Sequence, residues 1–251
     1  MRTRLILAAG LLVAGCGRSG VDAFEAFSPR APLPNGFPGT NPTPSPTPTV
    51  GPFCDAADAD LGACYRFESN GVDESQYAVN ATLTAVAFAP FNGGDAVELF
   101  AGSGIEVADS NVWDGPGLTV EMFVRADSLP ATGRVGLLDK DGQMGIFLRP
   151  DGRIYCVSGG VGLVTTTSAI ATAVWTHVAC VIAPATIELH LDGVLDAATI
   201  PTGAIGANGG PIRIGEESPT GNDQLLGGLD SLRVWRRART VAEICAAAGS
   251  C

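Results

Sequence analysis

The sequence predicts an all-β protein, a sandwich of two antiparallel sheets followed by a short C-terminal helix. From residue 53 onward, apolar runs of four to eight residues recur, and many of the 33 glycines and 17 prolines stand between them as turn signals. Several runs alternate apolar and polar residues, the pattern of a strand with one buried face. About a dozen short strands with almost no helix must each bury that face, and two packed antiparallel sheets achieve this.

The candidate strands follow from this alternation in chain order. The first, 63–67, alternates apolar residues with Cys64 and Arg66, and 118–125 repeats the pattern. Pro150-Asp151-Gly152 and Asp192-Gly193 are turn signals, because proline presets the turn and glycine tolerates positive φ. The remaining candidate strands are 96–99, 104–107, 145–148, 153–157, 174–182, 186–191, 194–195, 211–215 and 229–235. Helical spacing over 241–248 predicts the closing helix.

Residues 1–15 have the features of a bacterial lipoprotein signal peptide. A short basic stretch is followed by an apolar segment, 5–14, which is too short to span a bilayer as a helix. The segment ends in Leu-Val-Ala-Gly-Cys, which resembles a lipobox, and the thiol of Cys16 is the group that is acylated in such a motif. The alternative is an ordinary cleaved signal peptide with an incidental cysteine. We therefore expect a lipid-anchored protein at the outer membrane or cell surface.

We interpret residues 16–52 as a tether and residues 53–251 as the folded domain. The tether is rich in Pro, Gly, Ser and Thr, and prolines alternate with other residues over 42–48. Such a run follows an extended polyproline-like path and has no core to bury. We interpret it as a spacer that holds the sandwich away from the membrane.

The formal net charge of −11 excludes some classes of partner. A surface this acidic repels nucleic acid and anionic lipid headgroups, so we expect no nucleic-acid partner and no membrane contact beyond the lipid anchor. Cations, neutral glycans and basic protein patches are compatible partners.

Apart from Cys16, the sequence contains six cysteines, and an even number in an exported chain predicts three disulfides. Zinc binding is the competing explanation, but there is no Cys-x-x-Cys pair and there are only two histidines. Cys156 and Cys180 lie in mid-domain candidate strands, and we expect them to pair. The other four either close two local loops or tie the first strand to the last: Cys54, Cys64, Cys245 and Cys251.

Blocks of the sequence, in a fixed order, resemble the laminin G-like, concanavalin A-like jelly-roll domains of bacterial surface proteins. They are ACYRFE (63–68), AGSGIEV (101–107), LTVEMFVRAD (118–127), WTHVA (175–179), LHLDGV (189–194) and GGLDSLRVWRRAR (227–239). The resemblance extends over about 61–246 and implies a concanavalin A-like jelly roll. It implies little about the ligand, because this sandwich carries many functions.

The resemblance also defines what a catalytic member would require. Retaining glycosidases of this fold present two close carboxylates from one strand, usually as Glu-x-Asp-x-x-Glu. Here Glu121 stands on a candidate strand, but the residues two and five positions later are Phe123 and Ala126. A Ser-His-Asp arrangement lacks a nucleophile elbow, and we interpret His177 as structural. We therefore expect no catalytic residues.

A structural Ca²⁺ ion between the first and last strands is a further implication of the resemblance. Asp230 and Glu68 occupy the places from which carboxylates reach such an ion, and Asn70 and Gly71 are positioned to offer carbonyl oxygens. Calcium takes six to eight oxygens, so water must complete the shell. The alternative is that Asp230 caps a turn and Glu68 is solvated.

Trp113 is the candidate ligand-contacting aromatic residue. It stands beside Asn111 and Asp114 in a predicted loop, and an indole face suits the C–H groups of a sugar ring. The alternative is that the indole packs beneath the loop.

These observations favour a non-catalytic, lipid-anchored binding module that recognises a carbohydrate or a protein partner. Two other functions remain open: a structural or adhesive envelope protein without a soluble ligand, and a glycoside hydrolase-like enzyme. The missing carboxylate pair weighs against the enzyme.

Overall fold

A computed structural model describes residues 53–160, 162–218 and 223–251. The predicted signal peptide, the tether and the lipidation residue Cys16 lie outside the described residues, so these expectations stay predictions. No helix among the described residues is long and apolar enough to cross a membrane.

The described residues form fifteen strands followed by one short α-helix, and the predicted strands and the closing helix are present. The strands are β1 (Leu61–Tyr65), β2 (Ala81–Thr84), β3 (Ala87–Phe91), β4 (Gly94–Leu99), β5 (Gly104–Val107), β6 (Leu118–Ala126), β7 (Val135–Lys140), β8 (Met144–Leu148), β9 (Ile154–Ser158), β10 (Gly162–Thr165), β11 (Thr176–Ile182), β12 (Ile187–Leu191), β13 (Val194–Thr199), β14 (Ile212–Ile214) and β15 (Gly227–Trp235). Four of these strands, β2, β3, β7 and β10, were not predicted from the sequence. A 3₁₀ turn spans Asn111–Trp113, and α1 spans Val241–Ala248.

The strands form two sheets, which we name sheet A and sheet B. Sheet A has the order β13-β12-β11-β6-β15-β4-β3, with β1 also paired to β15. Sheet B has the order β10-β9-β8-β7-β14-β5-β2. Within the described ranges, every pairing between these strands is antiparallel. The predicted two-sheet antiparallel sandwich is confirmed.

Alternation along the strands assigns side chains to the core or to an outer face. On β6, Leu118, Val120 and Met122 belong to the core, whereas Thr119 and Glu121 alternate with them and face outward. The inner faces of both sheets supply one main hydrophobic cluster. Burial of this apolar surface supplies the main driving force for folding.

Three disulfides join the cysteines in the described part of the chain. Cys156 on β9 of sheet B pairs with Cys180 on β11 of sheet A, which confirms the predicted mid-domain pair and links the sheets through the core. The terminal cysteines close two local loops, Cys54–Cys64 and Cys245–Cys251, and do not tie the first strand to the last.

Helix α1 covers part of the outer face of sheet A. Thr240 and Glu243 form a capping box at its beginning, and Gly249, at φ 70°, ends it in the left-handed region that glycine adopts readily. Ile244 packs against Ala179 and Val181 of β11. The helix therefore leaves the outer face of sheet B open.

Candidate functional site

A buried polar cluster lies on the outer face of sheet A, centred on Glu121. Its Oε1 lies 2.9 Å from Arg233 Nε and 2.5 Å from Arg239 Nη1, and it accepts a hydrogen bond from Trp235 Nε1 at 2.9 Å. Its Oε2 lies 3.5 Å from Nε2 of His177, which is also buried. Burial raises the pKa of Glu121, but His177 and the two guanidinium groups outweigh it and hold the pKa at about 2.

These contacts indicate that Glu121 has a structural role in sheet A. Its side chain is fully enclosed, so a substrate has no route to the carboxylate. His177 is held by a hydrogen bond from its backbone N–H to Asp192 Oδ1 and by edge contact with the Phe123 ring.

A groove of 530 Å³ lies beside this cluster, and we name it the acidic groove. Glu68 and Asp230 both line it, and the charge of Glu68 acts on Asp230. Asp230 is 5% exposed, its Oδ2 accepts from Ser231 Oγ at 2.9 Å, and its buried Oδ1 has no hydrogen-bond partner. Burial, and then the charge of Glu68, raise the pKa of Asp230 to about 6. The structure therefore brings together two of the four predicted cation ligands.

Asn70 and Gly71 are directed elsewhere. Asn70 Oδ1 accepts from the backbone N–H of Val72, and the Gly71 carbonyl accepts from the N–H of Ala81. No cluster of three His, Cys, Asp or Glu side chains able to hold a metal occurs in the described part of the chain. Two carboxylates fall short of a calcium shell. Calcium stays a prediction, which now rests on Glu68 and Asp230 alone.

The expectation that Trp113 contacts a ligand is wrong. The side chain is 0% exposed and belongs to the main core, and its carbonyl accepts from Gln143 Nε2 at 2.7 Å. The short 3₁₀ turn directs the indole inward beneath its loop, so no sugar can stack on it.

The open outer face of sheet B carries a second basin, of 630 Å³, which we name the Tyr155 basin. Outward-facing side chains of β9 and β10 line it, together with residues of the loops beside β7 and β8. They are Gly133, Arg134, Arg149, Pro150, Tyr155, Val157, Leu163, Thr165 and Asp223. The basin therefore combines an aromatic ring and exposed apolar surface with donors and acceptors of both charges.

Neighbours on the sheet fix the orientation of the Tyr155 ring. Phe147 on β8 is its cross-strand partner, and the two rings stack with centroids 5.0 Å apart. Arg134 donates to the Tyr155 hydroxyl at 2.6 Å, places its guanidinium 4.0 Å from the Phe147 centroid and forms an ion pair with Glu217. Tyr155 lines the basin and Phe147 does not, so Phe147 supports the ring from behind.

Sequence reasoning missed this basin. Alternation over 153–157 puts Tyr155 on the same strand face as Arg153 and Val157, opposite Ile154 and Cys156, and this is the available signal. The contacts of Tyr155 with Phe147 and Arg134, and the position of Asp223 at the basin, bring together separate hairpins and a loop, so spacing along the chain does not indicate them. Arg149, which also lines the basin, is exposed, and its Nε lies 3.6 Å from Asp151 Oδ1.

Sequence and structural comparisons agree on the type of domain. A laminin G family model, described as the concanavalin A-like lectin/glucanases superfamily, matches residues 100–245. No curated protein matches the chain at a significant level.

Three solved structures that resemble the chain are two toxin binding domains and one domain of an extracellular enzyme. Domain 4 of AbnA, a GH43 extracellular arabinanase from Geobacillus stearothermophilus, solved in complex with arabinotriose, superimposes with a TM-score of 0.63 at 20% identity; 75% of this chain and 98% of that one are covered. The binding domain of Paraclostridial Mosquitocidal Protein 1 gives 0.65 at 18% identity, covering 76% and 52%. The Botulinum Neurotoxin serotype G binding domain gives 0.62 at 10% identity, covering 75% and 50%. The chain thus spans about half of each toxin binding domain.

Proposed function

Because the chain belongs to the concanavalin A-like lectin/glucanases superfamily, we propose that it is a carbohydrate-binding module without catalytic activity of its own. We place the ligand site in the Tyr155 basin on the outer face of sheet B. The similar fold of an arabinanase domain solved with arabinotriose supports carbohydrate as the class of ligand.

The observation that carries this proposal is that the ring of Tyr155 is fixed in orientation by its neighbours and is only half-buried. The π-face of an aromatic side chain attracts the C–H groups of a sugar ring, and a ring that is already fixed loses little conformational freedom when the sugar binds. Phe147 and Arg134 fix the ring before any ligand arrives. The basin is therefore suited to a stacked sugar.

Polar groups around the ring are suited to sugar hydroxyls. Arg149 offers exposed N–H donors, Thr165 a hydroxyl and Asp223 a carboxylate acceptor at the basin wall. Such directional groups around an apolar platform provide the specificity of a binding site. Two arginines, Arg134 and Arg149, and one acid, Asp223, line the basin, although the chain as a whole is acidic.

Replacing Tyr155 by alanine is expected to lower the affinity for carbohydrate at least about tenfold, because the stacking surface is lost. A glycan array identifies the ligand, and titration calorimetry with the tightest-binding oligosaccharide measures the change. Tyr155→Phe keeps the ring and removes only the hydroxyl that accepts from Arg134, so it should retain most of the affinity.

The matched aromatic control is Phe100→Ala, because Phe100 is exposed but does not line the basin. This variant should bind like the parent. If Tyr155→Ala and Phe100→Ala bind equally well, the ligand site lies elsewhere. If no glycan on the array shows saturable binding, the structural or adhesive role replaces the present proposal.

The anchoring of the module at the cell envelope is also part of the proposal, and it rests on the lipobox-like sequence before Cys16. Acyl chains on this thiol would hold the chain at the membrane, since each buried CH₂ contributes about 0.8 kcal/mol. Cys16→Ala is therefore expected to move the protein from the membrane pellet to the soluble fraction. Metabolic labelling with a fatty acid measures the same loss, and a variant that remains labelled and sedimentable would contradict the assignment.

A further inference from the structure

The acidic groove on sheet A is not needed for the carbohydrate site on sheet B. It has its own aromatic wall and its own charged groups. Phe91 and Phe123 line it with centroids 5.6 Å apart and ring planes at 57°, so the two half-buried rings form an open corner. Trp175 stacks on Phe91 at 4.0 Å and supports this corner from outside the groove.

The two carboxylates lie next to the aromatic corner because of strand register. Asp230 on β15 is the cross-strand neighbour of Phe123 on β6. Gly94 on β4 pairs with Phe91 on β3, and the Glu68 carboxylate occupies the space above Gly94 that a Cβ would fill. Glu68 is held there by the N–H of Asp95, which donates to its Oε2 at 2.8 Å.

Two carboxylates, Glu68 and Asp230, and one arginine, Arg66, line the groove, and the charge of Arg66 acts on Asp230. The carboxyl end of α1, residues 246–249, also lines it, and this is the negative end of the helix dipole. Arg66 lies at the groove, but its guanidinium is 3.1 Å from Glu74 and rests over the Phe53 ring. The buried Oδ1 of Asp230 has no partner, which is costly for a carboxylate unless a ligand completes its shell.

We propose that the acidic groove binds an organic ammonium group, such as the amine of an amino sugar. The positive charge of the ammonium group would be shared between the carboxylates of Glu68 and Asp230. The C–H groups next to its nitrogen would pack on the rings of Phe91 and Phe123. A phenyl face attracts an ammonium ion through its quadrupole but supplies no ligand atom to calcium. The proposal is therefore an alternative to the calcium expectation and does not depend on the Tyr155 basin.

Titration calorimetry with charged and neutral partners of equal shape tests this proposal. Glucosamine is compared with N-acetylglucosamine, and choline with 3,3-dimethylbutan-1-ol, in buffer containing EDTA. We expect each cation to bind at least about tenfold more tightly than its neutral counterpart, which corresponds to about 1.4 kcal/mol. The better of the two cations identifies a primary or a quaternary ammonium ligand.

Two conservative variants test whether the cations bind in the acidic groove. Asp230→Asn keeps the shape and removes one charge, and Phe123→Leu removes one ring; each should weaken cation binding at least tenfold. Asp141→Asn, an exposed acid in the β7–β8 turn that lines neither site, is the matched control and should bind like the parent. A thermal melt of each variant shows that it is folded. Unchanged affinity for the array glycan shows that the Tyr155 basin of the variant is intact.

Three results would overturn the proposal. Two of them are equal binding of charged and neutral partners, and no binding of either cation. The third is Ca²⁺ binding in EDTA-free buffer that Asp230→Asn abolishes while both organic cations fail to bind, which would establish the calcium site in its place.

Discussion

Replacing Glu121 by alanine is expected to lower the free energy of unfolding by about 3–5 kcal/mol, the cost typical of breaking a buried ion pair. Glu121 Oε1 lies within 2.9 Å of Arg233 and within 2.5 Å of Arg239. Both arginine side chains are at least nine-tenths buried, so the substitution leaves two guanidinium groups without a counter-charge. Chemical denaturation measures the loss as a lower midpoint with an unchanged m-value.

The matched control for this prediction is Glu106→Ala. Glu106 pairs with Arg213 at 2.6 Å, but its side chain is 45% exposed, and solvent screens the pair. Exposed pairs contribute about 0–1 kcal/mol, so the control should unfold almost like the parent. Equal losses for the two variants would contradict a stabilising role of the Glu121 cluster in sheet A.

The lowered pKa of Glu121 predicts the pH at which its contribution disappears. The pKa is about 2 in the folded protein and about 4.5 when exposed, so the folded state favours the ionised form. The stabilisation is complete above about pH 4.5 and is lost as the pH falls through about 2. The difference in melting temperature between the parent and Glu121→Gln should therefore be larger at pH 7 than at pH 3. A difference that grows on acidification contradicts this assignment.

Removing the Cys156–Cys180 disulfide is the second change with a large expected effect. The bond closes a loop of 24 residues and joins the two sheets through the core. Loop-closure entropy for that length predicts a loss of about 3.5 kcal/mol when both cysteines become alanine, and the lost core volume adds to it. Differential scanning calorimetry of the double variant measures the decrease in melting temperature.

The Cys245–Cys251 pair provides the internal comparison for this disulfide. It closes a loop of only six residues near the end of the described chain. The entropy of the shorter loop gives about 2 kcal/mol, and no bond between the sheets is lost. The double alanine variant at 245 and 251 should therefore melt at a higher temperature than the one at 156 and 180. The reverse order would contradict a structural link through the core.

The fold was predictable because alternation along the strands carries the information about burial. One strand was missed where alternation is absent: β7, Val135–Lys140, reads Val-Gly-Leu-Leu-Asp-Lys, in which the polar residues stand together at one end. β2, β3 and β10 were also missed; β2 and β3 have no buried residue and β10 has one, so their apolar positions carry only a weak signal. The resemblance to the laminin G-like family supplied the order of the blocks, and the structure confirms it.

The candidate sites were predictable only in part. The resemblance placed Glu68 and Asp230 together, because the first and last strands of the family are neighbours. It could not show that Gly71 bonds to Ala81 or that Trp113 is enclosed by the core. The Tyr155 basin depends on which strands pair and on where the loop after β14 lies, and these are tertiary facts that spacing along the chain does not encode.

Hydrogen exchange of the full chain with and without the tightest-binding array oligosaccharide tests the central claim most directly. We predict slower exchange for the backbone amides of β9 and β10 and of the loop around Arg149, with no change at the acidic groove. Protection confined to sheet A, or to loops away from β9 and β10, would contradict a carbohydrate site on the open face of sheet B.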